Sequence, residues 1–157
     1  MILKHALPSL ACLALSTVAA AANSIRSCDT WEANARNIVL LPEPAIRSYA
    51  NGNIQLLHLD TGGSPACCSS HLMVLMAAPE GEYCDCSLIS FDDRDGFAWI
   101  TLSETLSTYD PASGLLLEVP ARIYLPEESF TNGGYITLLI NQGTGDMQAA
   151  FIPGPNE

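Results

Sequence analysis

Six cysteines dominate the chemistry available to this chain, and four of them fall close together with one histidine. Cys67-Cys68 is followed by His71 and then by Cys84-x-Cys86, with Cys28 upstream. Thiols and an imidazole so grouped suit three kinds of chemistry: structural disulfides, soft-metal ligation, or thiol redox exchange. Which one applies depends first on the compartment.

The N-terminus addresses that question. Lys4 and His5 give a short positive start, residues 6–18 are largely apolar, and Ala19-Ala20-Ala21-Ala22 offers small residues at the −3 and −1 positions of a signal peptidase site. The stretch is too short and too small-chained to serve as a membrane span, which wants about 20 strongly apolar residues. A lipoprotein signal would use Cys12, but Ser9 stands where a large aliphatic residue is expected. The expected organisation is therefore a signal peptide over 1–22 and one domain over 23–157, secreted or periplasmic, with no membrane span. Five cysteines remain after cleavage, an odd number, so at least one is left out of intrachain pairing.

Charge narrows the partners. The whole chain carries −11, and Lys4 is its only lysine; the mature part holds five arginines against 17 acids, leaving −12. Such a charge opposes nucleic acid and anionic membrane surfaces, both polyanions. It also rules out lysine Schiff-base or general-base chemistry. The partner class left is an unknown protein or small molecule.

Two disulfides stapling a small exported domain are the plainest reading of Cys28, Cys67, Cys68, Cys84 and Cys86. The alternative is a Zn or Cu site, or a thiol redox centre, built from Cys67, Cys68, His71, Cys84 and Cys86, with His58 and Asp60 just upstream. No Cys-x-x-Cys pair supports either version. A hairpin joining residues 71–77 to 83–91 opposes positions whose numbers sum to about 160. Cys84 and Cys86 then sit near its turn, opposite residues near 76 and 74, while Cys67 and Cys68 lie some eight residues away, or roughly 25 Å. A disulfide needs Cα atoms about 4.4–6.8 Å apart. Either the loop before His71 folds back, or Cys28 captures Cys67 or Cys68 while Cys84 and Cys86 pair, or the hairpin fails.

Other constellations are weaker. His58 and Asp60 share a strand face and, with Ser69 or Ser70, would make a hydrolase, but no Gly-x-Ser-x-Gly elbow is present. Asp93-Arg94-Asp95-Gly96 matches half of a calcium loop, yet Phe91 occupies the first ligand position and no glutamate follows at the right distance. Glu118, Glu127 and Glu128 read as solvated acids, and Gly143-Thr144-Gly145 lacks the lysine and helix of a phosphate cradle. Trp31, Trp99 and the tyrosines fit a core or a ligand-binding face. The expected function is a non-catalytic, disulfide-stabilised binding or structural module without a cofactor.

The elements that must position these groups are short and frequently punctuated. Strand-like runs cover 38–41, 45–50, 54–59, 71–77, 83–91, 97–102, 115–125, 135–141 and 147–152. Turns fall at Asn51-Gly52, 78–82, 92–96 and 142–145. Pro120 marks an edge or bulge within 115–125. Helical candidates are 30–37, capped by Asp29 or Thr30, and 103–109, capped by Ser103. This pattern predicts an all-β antiparallel sandwich or barrel with one or two short helices, with α+β as the alternative.

Overall fold

The computed structural model describes residues 21–41, 46–63, 68–78 and 84–154. They form an all-β sandwich of two antiparallel sheets. The larger sheet contains β1 (Ala21–Ala22), β11 (Asp146–Pro153), β10 (Phe130–Asn141), β9 (Gly114–Leu125) and β7 (Trp99–Ile100) in that order, with β8 (Leu106–Asp110) also paired to β9. The smaller runs β2 (Ser24–Ser27), β6 (Cys84–Ser90), β5 (Ser70–Ala77), β4 (Ile54–Asp60) and β3 (Ile46–Tyr49).

Alternation along the long strands creates the core. On β9 Leu115, Leu117, Val119, Ala121 and Ile123 face inward, and on β10 Ile136, Leu138 and Ile140 do the same. They meet Ile54, Leu56, Leu72, Val74 and Ile89 of the smaller sheet. Phe97 and Phe151 close one end, their rings 6.1 Å apart.

The smaller sheet differs from a one-sided amphipathic sheet. Leu57, Leu59, Met73 and Leu88 point to its other face and are buried there as well. The segment 28–41 lies over them, contributing Cys28, Ala33 and Ile38. Runs such as Leu72-Met73-Val74 are thus apolar because both faces are covered.

Pro120 sits inside β9 without disrupting it. β8 pairs with residues 114–118 and β7 with 121–122, so position 120 falls between the two neighbours. No ladder donor is lost there, and its carbonyl still accepts from the Thr101 amide at 2.9 Å.

Three local expectations are corrected. Residues 103–109 are not a helix: a single 3-10 turn covers Leu102–Glu104, and Leu106–Asp110 is a strand. Pairing with β9 outweighs the weak cap at Ser103. The stretch 30–37 likewise holds only a 3-10 turn at Ala35–Asn37, with Asn34 rather than Asp29 or Thr30 accepting from the Arg36 amide. Asn51-Gly52 does not form a two-residue hairpin; the turn widens, with left-handed backbone at Ala50, Asn51 and Gly52. The 78–82 turn is only partly within the described residues, but the hairpin it joins holds: Leu72 faces Ile89 and Ala77 faces Cys84.

Gly96 is where the turn after β6 is pressed against β5. A Cβ there would stand 2.4 Å from the Ser70 carbonyl oxygen, 2.7 Å from that of Cys68 and 2.9 Å from His71 Cε1. Two of these are backbone atoms that cannot swing away. Gly96→Ala is expected to cost about 2–3 kcal/mol in urea unfolding, as overpacking does. Gly133→Ala, with nothing within 4 Å of the added carbon, is expected to stay within about 0.5 kcal/mol of wild type.

Candidate functional site

The cysteines resolve around one bond. Cys28 and Cys86 form a disulfide with Cα atoms 5.5 Å apart. This pairing joins the covering segment to the middle of the smaller sheet and was none of the partnerships the sequence suggested for Cys28. The reason lies in β2, which pairs antiparallel to β6 with Ser27 opposite Ser87 and so delivers Cys28 beside Cys86. Cys84 lies outside the bond and is exposed. Cys67 falls outside the described residues.

The described members of the proposed metal set do not converge. Cys84 faces Ala77 at one end of the β5–β6 hairpin, whereas Cys68 precedes Ser70 at the other. Nine residues of strand separate those levels, or roughly 30 Å. Cys86 is engaged in the disulfide, and among the described residues no group of three or more His, Cys, Asp and Glu side chains is placed to hold a metal ion.

His71 instead belongs to a buried polar cluster under the covering segment. Its Nδ1 lies 2.8 Å from Ser90 Oγ. Arg26, on the neighbouring β2, donates from Nη2 to the same oxygen at 3.0 Å. The guanidinium also pairs with Glu32 Oε1 at 3.4 Å. Asn37 donates to the Glu32 carbonyl at 2.9 Å and so fixes the loop that carries the acid. The guanidinium only donates and so occupies one lone pair of Ser90 Oγ, while the second lone pair and the hydroxyl proton are available to His71 Nδ1, the direction following the imidazole's tautomer.

A second serine–histidine pair lies on the inward face. His58 Nε2 stands 3.1 Å from Ser70 Oγ, and the imidazole meets Trp99 edge-on with centroids 5.0 Å apart. Both pairs have the spacing of a nucleophile and its base. Neither has access: Ser70 and Ser90 are 1% and 0% exposed. The Asp60 carboxylate accepts from the Gly62 amide. Asp92, in the acidic turn, accepts from the amides of Arg94 and Asp95. Those two amides hold its carboxyl below the usual range. The turn is closed by its own backbone.

Burial and hydrogen bonding compete in the cluster. Burial raises the Glu32 carboxyl, but the residue's own amide, the Thr30 side chain and the Arg26 guanidinium outweigh that, and the group ends below the ordinary range. Burial acts the other way on the imidazole. It lowers His71, Arg26 adds to that effect, and Glu32 and Asp60 oppose it incompletely. Of this cluster only His71 was marked by the sequence. Arg26, Glu32 and Ser90 come from separate segments, and no local pattern links them.

The surface offers a different kind of site. A cleft of about 570 Å³ opens where β9 and β10 end, lined by Glu104, Pro120, Arg122, Phe130 and Tyr135. Phe130 and Tyr135 remain 45% and 43% exposed. A lining that mixes exposed aromatic, acidic and cationic side chains can take an amphipathic ligand. Trp31, which the sequence offered for such a role, is exposed on the covering segment.

Comparison of the chain with protein-family models, with curated proteins and with solved structures finds no match. The class is therefore set by the structure alone: a disulfide-stabilised antiparallel β domain. Among the described residues no helix is long and apolar enough to cross a membrane.

The His71 environment makes stability depend on pH. A histidine with a lowered folded pKa binds fewer protons when folded, so its contribution is complete above the unfolded value of about 6.5 and is lost as pH falls below it. Melting temperature is expected to drop between about pH 7.5 and about 5.5. His71→Asn, which keeps a polar atom near Nδ1 and cannot titrate, should flatten that slope.

Proposed function

We propose that the protein is exported, secreted or periplasmic, and binds a protein or small-molecule partner without catalysing a reaction. The Cys28–Cys86 bond carries this reading. It spans 58 positions and pins a covering segment over Leu57, Leu59, Met73 and Leu88. Such a crosslink persists where thiols are oxidised, which agrees with the apolar leader and Ala-rich cleavage region of the sequence. Both serine–histidine pairs are spent inside the fold, whereas Tyr135 and Arg122 share the outward face of the larger sheet and line the cleft with Phe130. The cleft they line is the proposed ligand-facing surface.

One observation favours thiol exchange as the second reading, and the same experiment tests Zn or Cu binding. Cys84 is exposed and, two residues from Cys86 on β6, shares its face of the sheet. Alkylation of exported protein without reductant, with metal content measured on the same sample, separates the two. Binding through a stapled domain predicts label at Cys84, none at Cys28 or Cys86, and no stoichiometric Zn or Cu. Label at Cys28 and Cys86, or bound metal, would overturn it. Replacing both bonded cysteines by serine is expected to remove about 2–4 kcal/mol of stability.

A further inference from the structure

The short strand β1 consists of Ala21 and Ala22, the last residues of the leader the sequence predicts. It pairs antiparallel with β11, Ala21 opposite Phe151 and Ala22 opposite Ala150. Signal-peptide cleavage after Ala22 would take this strand away. The inference below rests on the export reading and goes beyond it.

Backbone polarity shows what cleavage would uncover. The Gly154 amide donates to Gly133 of β10, so even-numbered positions of β11 turn their hydrogen-bonding groups toward β10. Odd-numbered positions turn outward, and accordingly Ala149 O accepts from the Asn23 amide at 3.3 Å. Ala149 stays engaged by Asn23, which cleavage after Ala22 leaves in place, so the outward groups that cleavage would free are the Phe151 amide and carbonyl and the Pro153 carbonyl. Pro153 occupies the one outward position at the end of the strand where a missing N–H breaks no pairing within the sheet.

The surroundings select a partner charge. Asn23 and Ser24, where the chain leaves this edge, bond to Phe91 O and Asp93 Oδ1 of the acidic turn. Asp93, with Asp92 and Asp95 beside it, therefore lies where the chain leaves β11, on the side toward the exposed Asp146. A second copy of a chain carrying −12 would meet its own charge there.

We propose that maturation exposes β11 as a strand-addition site for an extended, basic segment of a partner, seated antiparallel to β11 as β1 is. The test uses exported protein and two synthetic peptides of about ten residues. One alternates lysine with alanine and valine, and the other carries glutamate in place of lysine. The first residue of the exported chain should be Asn23. Retention of the whole leader would overturn export itself; a first residue at or before Ala21 would overturn only the edge site.

Chain beginning at Asn23 should bind the lysine peptide about tenfold more tightly than chain beginning at Ala19, and about tenfold more tightly than it binds the glutamate peptide. Hydrogen exchange at the Phe151 amide, the outward donor that cleavage frees, gives an independent readout. It should be fast in the Asn23 chain and slow in the Ala19 chain or with peptide bound. Equal binding by all forms, no binding by the Asn23 chain, or unchanged exchange at Phe151 would overturn the proposal.

Discussion

The structure depends on covering the second face of the smaller sheet. Leu57, Leu59, Met73 and Leu88 are 9% exposed or less, and at about 25 cal/mol per Å² their burial is a substantial part of what stabilises the domain. A sheet with apolar side chains on both faces needs a layer on each side. One layer is the larger sheet. The other is a mere 14 residues, 28–41, whose only regular element is the 3-10 turn at Ala35–Asn37. Covalent and polar ties at Cys28, Glu32 and Asn37 replace the regular hydrogen bonding that such a segment lacks.

That requirement explains where the reactive residues went. Cys86 and His71 both point to the covered face, and each is used to anchor what lies above it. Arg26 and Glu32 bring opposite charges into a half-buried place, where either alone would be costly and the pair is tolerable. Ser90 connects the ion pair to the imidazole, so the polar groups form a chain of contacts instead of isolated buried dipoles. Of the constellations that look catalytic in one dimension, the His71 group ties down the covering segment, and the His58–Ser70 pair is buried on the opposite, inward face of the same sheet.

The all-β architecture was legible because alternation at 115–125 and 135–141 is strong and the turns between are marked by glycine, asparagine and proline. The β5–β6 register was also nearly right: paired numbers sum to 161, one more than expected. The disulfide was not legible. Cys28 follows a four-residue strand, Ser24–Ser27, that the periodicity did not reveal, and its placement depends on pairing with a strand some 60 residues on. The helical expectations at 30–37 and 103–109 failed because local capping preferences, worth about 1 kcal/mol, yield to tertiary pairing and packing. The burial of Arg26 and Glu32 had no signature, since charged residues are read as exposed unless a partner is visible nearby in sequence.

The position of the Cys28–Cys86 bond also fixes how the molecule would respond to tension. Strands β3, β4 and β5 all lie between the two cysteines. A pull applied at the two ends of the chain would pass from residue 28 to residue 86 through the sulfur atoms, bypassing everything between. Roughly 200 Å of potential extension, at about 3.5 Å per residue, is withheld. Most of the smaller sheet would bear no load while the larger sheet peels apart, so the domain would lengthen under force yet keep the looped part of its structure intact.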